Sequence, residues 1–130
     1  MILVDTSAWI EFQRSTGSLA HLRLATAIGA GERLATTGLV LLEFLAGARD
    51  ERQAEDFRRL LARCTFVPLE EPFDHETAAA LYRLCRQEGT TIRRLPDCLI
   101  AAVAIRTGAE LLHQDADFDA IARHAPLAIA

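Results

Sequence analysis

Short apolar runs alternate along this chain with longer stretches in which apolar residues recur every three or four positions. The runs are typical of buried strands, and the longer stretches are typical of helices that cover a sheet. The predicted strands are residues 1–4, 33–36, 65–69, 110–113 and 127–129. Strands and helices in alternation predict an α/β fold, a three-layer α/β/α sandwich around a mostly parallel sheet of four or five strands.

Four of the helical stretches follow a polar side chain that can cap a first helical turn. These capping residues are Thr6 or Ser7, Ser18, Thr37 and Asp50. Three further helices are predicted at 74–88, 96–107 and 117–123. The 96–107 helix is apolar nearly all round, so we expect it to be buried between the sheet and another layer. Pro68 has no N–H to donate to a neighbouring strand, which predicts that the third strand lies at a sheet edge.

The length of 130 residues and the 51% apolar content are enough for one domain with its own core, so we expect residues 1–130 to form a single domain. No apolar run approaches the roughly 18 residues of a membrane span. Asp5 interrupts the first run and no basic leader precedes it, which argues against a signal peptide. These features predict a soluble cytoplasmic protein that does not bind a membrane.

Several carboxylates interrupt apolar runs, where a charge is costly. They are Asp5, Glu43, Asp97 and Asp115, with Asp117 two residues after the last. A carboxylate removed from water costs several kcal/mol unless it is paired or bound to a metal. No arginine close in sequence is spaced to neutralise Asp5 or Glu43. We therefore interpret these acids as ligands that meet around a hard divalent cation, although separate helix caps and surface acids are the alternative interpretation.

The predicted topology allows these acids to converge. Asp5 and Asp115 follow the first and fourth strands, and open α/β sheets form their binding crevice at such carboxyl ends. Asp97 lies in the first turn of a helix, where free N–H groups favour a carboxylate. Ligands made only of oxygen favour Mg²⁺ or Mn²⁺ over zinc. A site of this kind is typical of phosphodiester hydrolysis by a metal-activated water.

The net charge of −4 does not exclude a nucleic-acid substrate. Removing the five candidate ligands from the 18 acidic residues leaves 13, against 14 basic residues. The rest of the molecule is therefore close to neutral, and bound divalent ions would cancel much of the remaining charge.

Four segments resemble motifs of the PIN-domain family, in the same order. They are Asp5-Thr6-Ser7-Ala8-Trp9 after an apolar strand, Glu43 before Gly47, Leu95-Pro96-Asp97-Cys98-Leu99-Ile100-Ala101, and Leu111-Leu112-His113-Gln114-Asp115-Ala116-Asp117-Phe118. Chain length and motif order resemble the VapC-type toxin ribonucleases of bacterial toxin–antitoxin pairs. The resemblance covers essentially the whole chain.

This resemblance implies a magnesium-dependent endoribonuclease with a PIN-like fold, the toxin of a VapBC-type system. Asp5 and Asp97 would be its firmest metal ligands, Glu43 and Asp115 would complete an acidic quartet, and Asp117 would be the second acid of the fourth motif. It also implies inhibition by a VapB-like antitoxin whose C-terminal segment lies across the active site. A homodimer of toxins, an RNA substrate and operator DNA bound only through the antitoxin complete the implied partners.

Two other functions are compatible with parts of this pattern. A phosphohydrolase could use Asp5 as a covalent nucleophile, but such enzymes commonly place a lysine beside it, and this chain has none. A non-catalytic PIN-like partner of a small DNA-binding protein, acting in a transcription-regulating complex, would retain the acidic pocket without cleaving RNA.

Several neighbours of the acids have two interpretations each. Arg93 and Arg94 could contact RNA phosphates or form a solvated loop pair. His113 could act as a base, although we favour a structural role. Trp9 could stack on a base or pack in the core, and core packing is the favoured interpretation.

Overall fold

The computed structural model describes residues 1–130, and its centre is a sheet of four parallel strands in the order β3-β2-β1-β4. The strands are β1 (Ile2–Val4), β2 (Leu34–Thr36), β3 (Thr65–Phe66) and β4 (Glu110–Leu112). In register, Ile2 of β1 pairs with Leu34 on one side and with Glu110 on the other. The predicted α/β class and the parallel sheet are confirmed.

Seven helices surround the sheet, as the pattern predicts. They are α1 (Thr6–Gln13), α2 (Leu19–Gly29), α3 (Gly38–Ala46), α4 (Glu51–Ala62), α5 (Phe73–Gln87), α6 (Leu95–Thr107) and α7 (Ala116–His124). Ser18 caps α2 by accepting from the His21 N–H at 3.2 Å, and Asp50 caps α4 by accepting from the Gln53 N–H at 2.8 Å. Thr37 precedes α3, but its side chain makes no capping hydrogen bond.

The cap of α1 and the last strand differ from the predictions. Asp5, rather than Thr6 or Ser7, caps α1, because its carboxylate accepts from the N–H of Ser7. Residues 127–129 form only a single parallel bridge, between Ile129 and Leu111 of β4. The predicted third strand is shortened to two residues and lies at the sheet edge, as expected from the proline that follows it.

Helix α6 lies inside the molecule, as its apolar surface predicts. Ile100, Val103 and Ala104 are fully buried, and the helix packs against α5, α7, α3 and β4. Gly108 ends the helix with φ of +69°, a conformation that glycine adopts without strain. Because α6 packs against these four elements, Asp97 in its first turn has a defined position. No helix of the structure is long and apolar enough to cross a membrane.

Candidate active site

Asp5 and Asp97 form the inner part of an acidic site at the carboxyl end of the sheet. Asp5 directly follows β1 and is 5% exposed, while Asp97 lies in the first turn of α6 and is 2% exposed. Burial raises the pKa of both carboxyls, and the charge of Asp5 further raises that of Asp97, to about 7. Oδ2 of Asp97 is buried without any hydrogen-bond partner. Neither carboxylate forms an ion pair, although the charge of Arg94 partly offsets the rise in the pKa of Asp97.

Ser7 fixes the orientation of Asp5. Its N–H and its hydroxyl donate to Oδ2 of Asp5 at 2.9 Å and 2.5 Å. The same hydroxyl accepts from the N–H of Gln114, just beyond β4, at 2.9 Å. Ser7 thus ties the ends of two neighbouring strands together and holds one oxygen of Asp5 in place.

The fourth motif brings two more carboxylates to this position. Asp115 caps α7, and its Oδ1 accepts from the N–H of Asp117 at 3.0 Å. One carboxylate oxygen each from Asp97, Asp115 and Asp117 lies within 4.8 Å of the other two, a spacing that suits shared ligation of one metal ion.

Glu43 reaches the same site from α3. Thr6 directly follows Asp5 in the chain, and its hydroxyl donates to Oε1 of Glu43 at 3.5 Å. After burial, the charge of Glu43 is among the causes that raise the pKa of both Asp5 and Asp97. Of the five acids that the sequence singles out, Asp97, Asp115 and Asp117 thus have the spacing of metal ligands, and Asp5 and Glu43 lie close enough for their charges to act on Asp97.

Two arginines of the loop before α6 pair with Glu43, Asp115 and Asp117, which we call the outer acids. Arg94 forms a direct ion pair with Glu43. Arg93 places Nη2 at 2.8 Å from Oδ1 of Asp115 and Nε at 3.4 Å from Oδ2 of Asp117. The sequence does not reveal these ion pairs, because Arg94 lies 51 residues from Glu43, and Arg93 lies 22 and 24 residues from Asp115 and Asp117. The only local signal was the position of two arginines just before a candidate ligand.

The family of the chain follows from this arrangement together with its sequence. The sequence matches the PIN domain family model over residues 2–124. The chain belongs to the PIN-domain family. Ribonuclease VapC11 of Mycobacterium tuberculosis is 42% identical to this PIN domain over 124 residues, which are 95% of this chain and 92% of that protein. The predicted family is confirmed.

Solved structures give the same fold. VapBC2 from Rickettsia felis, bound to a DNA fragment from its promoter, matches with a TM-score of 0.78 and 20% identity over 100% of this chain and 98% of that one. A toxin–antitoxin complex from Klebsiella pneumoniae matches with a TM-score of 0.67 and 25% identity over 91% and 90%. The PIN fold predicted from the motif order is thus confirmed.

The donor set of this PIN domain fits a divalent metal ion. The five side chains offer only carboxylate oxygens, which hard cations such as Mg²⁺ and Mn²⁺ prefer. The unpartnered Oδ2 of Asp97 is a buried acceptor that no protein group satisfies. A cation beside Asp5 and Asp97 would stabilise both carboxylates in their ionised form.

The contacts of His113 and Trp9 favour the structural interpretations. Nδ1 of His113 accepts from the N–H of Asp115 at 3.0 Å, and its ring centroid lies 5.1 Å from that of Phe118. This side chain therefore holds the backbone of Asp115 in place. Trp9 is 1% exposed and stacks on Phe44 at 5.9 Å between centroids, so it belongs to the core.

Proposed function

We propose that this PIN domain, as a single unit over residues 1–130, is a metal-dependent endoribonuclease that hydrolyses RNA phosphodiester bonds. The observation that carries the proposal is the inner pair, Asp5 and Asp97, which forms no ion pair and includes an unpartnered buried oxygen. Carboxylates in this state are typical of metal-dependent phosphodiesterases. The identity of 42% to a protein named as a ribonuclease supports the same activity.

In this proposal Asp5, Asp97, Asp115 and Asp117 would hold Mg²⁺, or alternatively Mn²⁺, with Glu43 beside them. The bound ion would lower the pKa of a coordinated water and neutralise charge on the reacting phosphate. Ser7 would hold one oxygen of Asp5 in place, so that the carboxylate could offer its other oxygen to the ion. Glu43, which accepts from the hydroxyl of Thr6, would help to position a water for attack.

Two grooves that adjoin the acids support a polymeric substrate. A groove of about 380 Å³ opens beside Glu43 and is lined by Arg14 and Arg49. Another groove, of about 520 Å³, runs beside Asp115 and is lined by Arg23. RNA on either side of the scissile bond would meet arginines there, which suits contacts to the phosphate backbone.

We also propose that the protein is the toxin of a VapBC-type toxin–antitoxin pair and acts in the cytoplasm. A VapB-like antitoxin would inhibit it by laying its C-terminal segment across the acids, and the complex would bind operator DNA through the antitoxin. Leu42 and Leu95, 64% and 57% exposed, neighbour Glu43 and Arg94 in the chain and would supply apolar contact area for such a segment. The toxin–antitoxin complex from Klebsiella pneumoniae supports this partner, and we expect the toxin to form a homodimer.

The decisive experiment compares charge-neutral variants of the inner acids with a matched surface variant. We expect Asp5→Asn and Asp97→Asn each to lower RNA cleavage in Mg²⁺ by roughly 100-fold or more and to relieve growth arrest on expression. Asp56→Asn, on the exposed face of α4, makes the same charge change and should leave cleavage intact. A wild type that cleaves no RNA, with toxicity unchanged by both inner substitutions, would instead favour the non-catalytic partner of a DNA-binding protein.

A further inference from the structure

We propose that Arg93 and Arg94 exchange partners during the reaction cycle. They neutralise the outer acids when the metal is absent and bind RNA phosphates when it is present. This inference rests on the proposed function, since it assigns a further role to residues of the same site. The two arginines would then weaken metal binding and strengthen RNA binding at the same time.

The division of charge within the site is the first observation. Each outer acid forms an ion pair with an arginine, whereas Asp5 and Asp97 form none and only the more distant charge of Arg94 acts on Asp97. Arg94 pairs with Glu43, and Arg93 pairs with both Asp115 and Asp117. The arginines therefore occupy oxygens that a metal ion would otherwise use or influence, while the innermost oxygens stay open to it.

The backbone of this arginine segment is fixed, but its side chains are not. The N–H of Arg93 donates to Oδ2 of Asp117 at 3.0 Å, and the carbonyl of Arg94 accepts from the N–H of Asp97 at 3.0 Å. Their side chains are 68% and 54% exposed, on stems with several rotatable bonds. Exchange thus requires only a rotamer change, with no loop movement.

A bound cation and the two guanidinium groups compete for the same oxygens. Oδ1 of Asp115 already accepts from the N–H of Asp117 and from Arg93, so ligation of a metal through that oxygen would displace the arginine. The positive charge of a bound metal ion would also repel the guanidinium groups. The released guanidiniums would lie beside the reacting phosphate, and their planar fork suits phosphate oxygens.

The test combines two measurements on the full chain, because the exchange predicts that removing the arginines strengthens metal binding and weakens RNA binding. In the variant Arg93→Gln/Arg94→Gln we expect calorimetric titration to give Mn²⁺ binding about 3–10-fold tighter than in the wild type, the range for two exposed ion pairs. We expect the RNA concentration at half-maximal cleavage to rise roughly 10-fold. Circular dichroism of the metal-free protein checks that the double variant keeps its fold. The single variant Arg94→Gln should show smaller shifts of the same signs in both measurements.

The control is Arg58→Gln/Arg59→Gln on α4, which also removes two adjacent arginines that pair with acids. This control should move neither measurement. Unchanged or weaker Mn²⁺ binding by the Arg93/Arg94 variant would overturn the exchange, and so would an unchanged dependence on RNA concentration. Failure of the proposed function is a different result, because the wild type itself would then bind no Mn²⁺ or cleave no RNA.

Discussion

Asp97 retains its proton to a higher pH in the folded chain than in the unfolded one. Burial, followed by the charge of Asp5, raises its pKa from 3.8 to about 7. Between these two pH values the folded state binds a proton that the unfolded state has lost. The free energy of unfolding therefore falls as the pH rises through this window. Above the window, the folded state carries the full destabilisation from its ionised, buried carboxylate.

The first prediction concerns this residue in the metal-free protein. In excess chelator at about pH 8, we expect Asp97→Asn to melt roughly 5 °C above the wild type, since the neutral amide carries no desolvated charge. The difference should shrink toward about pH 4, where the carboxyl is protonated in both states. Scanning calorimetry across this range checks it, with Asp56→Asn as the matched surface control. A difference that does not depend on pH would contradict the assigned cause.

At the scale of elements, a buried ion pair joins α5 to α6. Asp74 is fully buried, and its oxygens accept from Nε and Nη2 of Arg106, each at 2.9 Å. Nη2 also donates to the carbonyl of Pro68 at 2.9 Å. Burial alone would raise the pKa of Asp74, but Arg106 and the N–H of Glu70 outweigh it and keep that pKa below its usual value. The carboxylate thus remains ionised inside the protein.

The second prediction removes the cation of this pair. Arg106→Met keeps the length of the side chain but leaves a buried carboxylate uncompensated, so we expect the free energy of unfolding to fall by about 3 kcal/mol. Urea denaturation gives this value. Arg123→Met on the exposed side of α7 is the control, with an expected change of about 0.5 kcal/mol or less. A loss below about 1 kcal/mol in Arg106→Met would mean that the pair contributes little.

The elements themselves were largely predictable because their signals are local. Ser18 and Asp50 act as helix caps as expected, since a cap depends on residues within one turn. The cap of α1 was assigned wrongly, because Asp5 serves as both cap and candidate ligand. The last strand was also wrong: Ile129 reaches the sheet through one bridge only, and an apolar run does not reveal how many pairs it forms.

At the scale of the whole molecule, convergence of the acids was predictable but their neutralisation was not. Asp5 and Asp115 each follow a strand, so a parallel sheet brings them to one edge. The pairing of Arg94 with Glu43 depends on how α3 and the loop before α6 meet, at a separation of 51 residues. Nothing in a local pattern encodes such a pairing. The Asp74–Arg106 ion pair escaped sequence analysis for the same reason, since 32 residues separate its members.

The last prediction follows from repulsion that the whole fold has to contain. The folded chain holds Asp5 near enough for its charge to raise the pKa of Asp97, whereas the unfolded chain keeps the two carboxylates apart in water. An ion that binds only the folded state adds stability that grows with its concentration, about 2.7 kcal/mol at 100 times Kd.

We therefore expect Mn²⁺ to raise the melting temperature of the wild type. The double variant Asp5→Asn/Asp97→Asn should melt higher than the wild type in chelator and gain nothing from Mn²⁺. An equal gain in the double variant would show that the ion binds elsewhere, and the inner pair would lose its assignment as the metal site.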